Sequence, residues 1–327
     1  MNRREFVTLG LGAATAAAVR PVVAAAKDRA LDAHTVVVIS DIHVPLKPAE
    51  QKYKTWVDDH EIRDYYWVKD VIRRHVEEIL AMDPLPANVI GLGDISIAFA
   101  EDREYELCRE WFAPLEKAGI RVTHAMGNHD IRANFLKSFP EYAKTTRVPG
   151  KIVSKVETPD LDFILLDSLV EPTAEQRGHQ ECLRQCDLGE EQLAWLKHEI
   201  AAAKKPLFVC AHHRAENLRI SSLLAGSPKV FGYLYGHHHR VETHYAIENY
   251  SQGSRVLRTV GVGSFALDGD IGYAVVKTTP KGADMRFVQT GFWFPAYRPP
   301  HERPQLWHEF VKDNNGRMVR FPFECLS

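Results

Sequence analysis

Short β-branched runs alternate along this chain with longer amphipathic segments, and many of the short runs stop at residues able to bind a metal. The strand-like runs fall at 35–40, 88–92, 120–125, 151–156, 161–166, 206–211, 229–235, 255–261, 272–278 and 284–290. Between them, YYWVKDVIRRHVEEILAMD (65–83) places Trp67, Val68, Val71, Ile72, Val76, Ile79 and Leu80 at helical spacing. EYELCREWFAPLEKAG (104–119) and GEEQLAWLKHEIAAAKK (189–205) do likewise, with acids early and lysines late as the helix dipole favours. Alternation through residue 205 predicts an α/β fold. The runs crowded between 255 and 290 predict a sheet with much antiparallel pairing in the second half.

Five strand ends carry ligand-type residues. ISDIHV supplies Asp41 and His43, IGLGDIS supplies Asp94, and HAMGNHD supplies Asn128, His129 and Asp130. FVCAHHR supplies His212 and His213, and YLYGHHHR supplies His237, His238 and His239. Side chains alternate along an extended segment, so His237 and His239 share one face and His238 takes the other. In α/β sheets, ligands gather where loops converge at the carboxyl ends of strands. A mix of imidazole, carboxylate and amide oxygen suits iron, manganese or zinc better than a thiolate-binding ion or a calcium cage. Singly, each motif has a plainer reading. Asp-x-His and GD occur in ordinary turns, Asn-His-Asp caps helices, and paired histidines are often just half-buried. Five such ends in order are not expected by chance.

The 327 residues, 45 % hydrophobic and 26 % charged, can bury a substantial core in one large domain or two ordinary ones. A net charge of −2 argues against a nucleic-acid partner, which needs a basic footprint. The start, MNRREFVTLGLGAATAAAVRPVVAAAKDRA, pairs Arg3 and Arg4 before a weakly apolar stretch. Residues 1–26 are expected to be a twin-arginine-type signal peptide cleaved after Ala24-Ala25-Ala26, although the lysine often found after the arginines is missing. The plainer alternative is an amphipathic N-terminal helix. The apolar stretch is too short for a stable membrane span. The expected location is therefore the periplasm or the exterior, reached through the twin-arginine export machinery, which carries folded proteins. The main domain is expected over 34–297. A C-terminal extension over 298–327, Pro-rich at first, should pack onto it through Trp307, Phe310 and Phe321. Five cysteines cannot all pair; Cys182 and Cys186 are close enough to do so, and Cys210 sits in an apolar run that suits the core.

The order D-x-H, GD, GNHD, H, GHxH resembles the calcineurin-like metallophosphoesterase superfamily from about residue 35 to 290. DFILLDSLVEP (162–172) and LGEEQLAWLKHEI (188–200) are also similar to the branch that includes cyclic-nucleotide phosphodiesterases. The resemblance implies a four-layer αββα sandwich of two mixed sheets flanked by helices, holding two transition metal ions of iron, manganese or zinc. Asp41, His43 and His239 would bind the first ion, and Asn128, His212 and His237 the second, with Asp94 between them. His212 is preferred to His213 because it comes directly off the strand. His213, Arg214 and Asn128 are then expected to contact substrate, although Arg214 would equally well lie in solvent. Two cations ~3.5–4 Å apart neutralise a phosphate ester and acidify a shared water into the nucleophile. His129, beside a ligand but not one itself, is expected to protonate the leaving group. Ile97 stands where Ser/Thr protein phosphatases carry an aspartate and purple acid phosphatases a tyrosine, which excludes both branches. Tyr53, Trp56, Tyr65, Tyr66 and Trp67 form either a stacking rim near His43 or part of the core. These features predict an exported hydrolase of small phosphomonoesters or phosphodiesters. A nuclease and a metal-binding envelope protein without turnover are the alternatives.

Overall fold

The strand LDAHTVVVI shows how single residues build the layers. In the computed structural model it forms β1 (Leu31–Ile39). Val36 and Val38 point into one buried cluster, Val37 and Ile39 into another. Period-two alternation of apolar residues on both faces marks a strand covered from both sides. The structure describes residues 29–47, 50, 61–97, 100–173, 185–248, 255–267, 269–293 and 315–322.

The same split recurs in β2 (Leu85–Gly91), β5 (Asp162–Leu165), β6 (Leu207–Cys210) and β7 (Val230–Tyr235). Ile90, Phe163, Leu165, Phe208, Cys210 and Leu234 meet Val36 and Val38 in a cluster between two sheets. Val89 turns to the cluster lined by α1 (Glu61–Leu80) and α2 (Asp102–Lys117). Ile164, Val209, Tyr233 and Tyr235 turn the opposite way, to the cluster lined by α5 (Gly189–Ala202) and α6 (Ser221–Ala225). Three clusters separate four layers: helices, sheet, sheet, helices. Each fully buried Val, Leu, Ile or Phe contributes roughly 1.5–3 kcal/mol, so the strand bodies hold the fold and their ends can carry polar residues.

Two short helices follow the third strand, α3 (Arg132–Ser138) and α4 (Tyr142–Thr145). The remaining strands are β3 (Arg121–His124), β4 (Ser154–Glu157), β8 (Glu242–Glu248), β9 (Arg255–Gly261), β10 (Gly269–Thr279), β11 (Gly282–Trp293) and β12 (Met318–Pro322). The first sheet runs β12-β11-β10-β1-β2-β3 and the second β4-β5-β6-β7-β9-β8. β1, β2 and β3 are parallel, as are β5, β6, β7 and β9, so their carboxyl ends lie together. Both sheets are mixed, because β10, β11 and β12 pair antiparallel in the first and β4 and β8 in the second.

Crowding in sequence predicts that the runs from 255 onward share a sheet, but β9 joins β7 in the second sheet while β10 and β11 close the first. The hairpin partner β8, which the pattern of apolar residues does not reveal, carries the chain back to β7's flank. The extension contributes an edge strand: Val319 and Phe321 of β12 enter the cluster between the sheets. The segment 1–26 expected to be a signal peptide, Tyr53, Trp56, Trp307, Phe310, Cys182 and the side chains of Tyr65, Tyr66 and Trp67 lie outside the described residues. Among the described residues, no helix is long and apolar enough to cross a membrane.

Candidate metal centre

The residues following β1, β2, β3, β6 and β7 converge. His43 Nε2 lies 3.0 Å from His239 Nε2, and His239 Nε2 lies 3.1 Å from Asp41 Oδ1. Across from them, His212 Nε2 lies 3.0 Å from Asn128 Oδ1 and 3.1 Å from Asp94 Oδ2. That same Asp94 oxygen is 3.9 Å from His43 Nε2. Asp94 thus stands between the two groups. Ligand-type atoms cluster within 4.8 Å as Asp41-His43-His239, as Asp41-Asp94-His212 and as His212-His213-His237. All seven expected ligands are in this one place, Asp41, His43, Asp94, Asn128 and His212 buried and His237 and His239 half-buried.

The backbone reaches this arrangement through an unusual conformation. Asp41, His43, Asp94, His237 and His239 all have φ between 49° and 68°, in the left-handed region. For non-glycine residues that region costs roughly 1–2 kcal/mol each. Two glycines permit the close packing: a Cβ on Gly236 would sit 1.8 Å from Ser40 Oγ, and one on Gly127 2.2 Å from Asp94 Oδ1. His237 and His239 do turn inward while His238 is exposed. The cause differs from the extended alternation expected of the sequence: two left-handed residues flank His238.

The donors and acceptors fit cations. His43 Nδ1 lies 3.2 Å from the carbonyl of Ser96, and His212 Nδ1 3.1 Å from the carbonyl of Leu92. A carbonyl only accepts, so each Nδ1 carries the hydrogen and each neutral ring presents an Nε2 lone pair inward. For His212 that lone pair faces two oxygens, one of them a carboxylate, an arrangement that calls for a positive charge between them. Burial alone would raise the Asp41 and Asp94 carboxyls, but His239 and His212 beside Asp41, and His212 and His129 beside Asp94, hold both below the usual range. His212 is pushed up to about 9, since Asp94 and Asp41 outweigh its burial. Burial and neighbouring imidazoles push His43 down to about 3 and His237 to about 4. Without a metal, a proton on His212 takes the cation's place.

A family model for calcineurin-like phosphoesterases matches residues 34–241, well over half of the chain. The chain belongs to the calcineurin-like phosphoesterase family. No curated protein matches it. Among solved structures, a predicted phosphoesterase from Streptococcus pneumoniae TIGR4 is 12 % identical, with 88 % of this chain and 97 % of that one covered and a TM-score of 0.34. Vps29 of Entamoeba histolytica complexed with zinc is 11 % identical, with 88 % and 99 % covered and a TM-score of 0.34. The sulfate thiohydrolase SoxB of Thermus thermophilus, in complex with glycerol, is 12 % identical, with 85 % and 59 % covered and a TM-score of 0.42.

Around the metal-ligand candidates stand several residues with other duties. His129 donates its backbone N–H to Asp94 Oδ1 at 2.8 Å, and its ring meets His43 edge-on at 5.1 Å between centroids. Its Nδ1 is buried without a hydrogen-bond partner. Asp130 accepts from the backbone N–H groups of Ile95, Ser96 and Gly127 and from the Tyr105 hydroxyl, tying the Asp94 loop to the Asn128 turn. Burial and Asp94 push Asp130 up to about 7. Ser96, whose carbonyl orients His43, is itself held by its hydroxyl to Glu104 at 2.9 Å. Sequence reasoning passes over Ser96 and Glu104, although Glu101 and Glu104 form a capping box whose pattern is legible at the start of α2.

Arg214, the candidate phosphate contact, is paired within the protein. Its guanidinium pairs with Glu242, reaches His244 Nε2 at 3.2 Å and lies over the Tyr235 ring at 5.5 Å. Glu242 also accepts from the Tyr235 hydroxyl at 2.9 Å. The partner that captures Arg214 comes from β8, the strand the sequence does not reveal. His213 is buried beside His212 and His237 and its Nδ1 meets Ser168 Oγ at 2.8 Å.

Proposed function

We propose that this chain hydrolyses small phosphomonoesters or phosphodiesters with two transition metal ions of iron, manganese or zinc. The observation that carries this reading is Asp94 Oδ2, within 4 Å of imidazoles from both groups. Asp41, His43 and His239 would hold one cation, Asn128, His212 and His237 the other, with Asp94 common to both. Bound there, such ions offset the negative charge of a phosphate ester and acidify water. The protein's own part is to fix the inward lone pairs through Ser96 and Leu92 and to supply a proton. His129 is the proton donor to the departing oxygen, because its ring stands beside His43 with a buried nitrogen free of other hydrogen bonds. The twin-arginine-type start makes the periplasm or exterior its place of action, where small phosphoesters rather than signalling nucleotides are the fitting substrates.

The test is metal analysis beside a panel including mono- and bis-nitrophenyl phosphate, on protein reconstituted separately with iron, manganese and zinc. Two ions per chain and turnover of at least one ester are expected. His129→Ala should slow turnover on the order of 10²–10⁴-fold while both ions stay bound. Two bound ions with no ester cleaved would instead favour a metal-binding role without turnover.

A further inference from the structure

The second sheet brings one imidazole more to the centre than the ligand pattern requires. One ring nitrogen from each of His212, His213 and His237 lies within 4.8 Å of the other two. The His213 ring stands 4.7 Å from that of His237 and 4.9 Å from that of His212. His213 is 1 % exposed, and its Nε2 is buried without a hydrogen-bond partner. Leaving such an atom unsatisfied costs roughly 1–3 kcal/mol. Its other nitrogen has a partner in Ser168, which follows β5. Nothing else in the described residues explains why a second buried imidazole should follow His212.

We propose that His213 is a ligand of the second cation, beside His212 and His237, oriented by Ser168, and not a contact for substrate. The inference rests on the dinuclear reading above. With Nδ1–H donated to the serine oxygen, the ring presents its Nε2 lone pair toward the cluster; such outer partners commonly fix the tautomer of metal-binding histidines. The two positions then differ in chemistry. The first offers Asp41, His43, His239 and Asp94, two carboxylates and two imidazoles. The second offers three imidazoles with Asn128 and Asp94. Imidazole-rich sites suit zinc or iron, whereas oxygen-rich sites accept manganese more readily. The structure thus points to a centre with two unlike positions, the second preferring zinc or iron and the first accepting manganese more readily.

Calorimetric titration of the metal-free protein with zinc, in the absence of substrate, tests this. The wild type should show two binding events. His213→Ala should weaken one of them on the order of 10–100-fold and leave the other intact, and Ser168→Ala should move the same event in the same direction by less. The zinc absorption edge, read for imidazole scattering, should count fewer imidazoles per metal in His213→Ala. His213→Gln, which fills the space without an imidazole, replaces the alanine variant if that fails to fold, and the imidazole count decides in the same way. Unchanged affinities and imidazole count, with only KM raised, would overturn the proposal and return His213 to substrate contact. His237→Ala is the control: if it too binds two ions unchanged, the dinuclear reading itself fails.

Discussion

The strand ends of the first sheet supply Asp41, His43, Asp94 and Asn128, while those of the second supply His212, His213, His237 and His239. One half is two carboxylates, an amide and a single imidazole; the other is imidazole throughout. The acidic half, buried alone, would have to protonate, because isolated carboxylates in a protein interior lose their charge. The imidazole half alone would present lone pairs to nothing. Brought together, the halves hold Asp41 and Asp94 ionised and draw a proton onto His212. The centre is therefore a property of the sandwich, and it is made where two parallel strand sets end side by side.

Removing the carboxylate common to both groups should break the comparison most severely. Asp94→Ala is expected to lose both ions and the transition-state stabilisation they supply, several kcal/mol or on the order of 10³-fold in rate. In the wild type, metal at a hundred times its Kd should add about 2.7 kcal/mol of stability, which a chelator removes. The variant's melting temperature should not respond to chelator at all, and a clear response would show a cation still seated.

A second break separates the sheets without touching a ligand. Arg132, at the start of α3, makes two bonds of 2.6 and 2.7 Å to buried Asp167 and a third to the carbonyl of Leu169. Asp167 follows β5, so this pair clips a loop of the first sheet to a loop of the second. Arg132→Ala should cost about 3–5 kcal/mol in denaturant unfolding, because it strands a buried carboxylate. A loss under 1 kcal/mol would mean that the clip is dispensable.

The proton on His212 sharpens the comparison through pH. Its folded value of about 9 stands above the ordinary 6.5, so its stabilisation is present in full below pH 6.5 and is lost as pH rises through 9. Metal-free protein should lose on the order of 3 kcal/mol between these limits. Metal-loaded protein, in which a cation replaces the proton, should not. A metal-free stability that is flat or rising over that range would contradict the assignment. The smallest effect belongs to His238→Ala, exposed and turned from the centre: under ~0.5 kcal/mol, with metal content unchanged.

The body of the fold is legible because both faces of the central strands are apolar, as Val36–Ile39 show. Of the four edge strands, β3 and β4 are read from their apolar runs, but β8 and β12 are not: ETHYAIE (β8) is half polar and MVRFP (β12) is only five residues long, so neither leaves a clear periodicity to read. Missing β8 also hid Glu242, and with it the fate of Arg214. At the centre, residue type betrays the ligands, since few side chains can bind metal. Their means of support does not show, because the carbonyls of Ser96 and Leu92 belong to the backbone and the left-handed turns at His237 and His239 have no side-chain signature. Ser168 was hidden for another reason: a serine after a strand is commonplace, and only the third dimension sets it against His213.

The account stands or falls on two cations sharing Asp94. Crystals grown with manganese or zinc, measured at the metal's absorption edge, should show two anomalous peaks flanking that carboxylate, one against Asp41, His43 and His239, the other against Asn128, His212 and His237. One peak alone, or peaks that Asp94 does not touch, would contradict it.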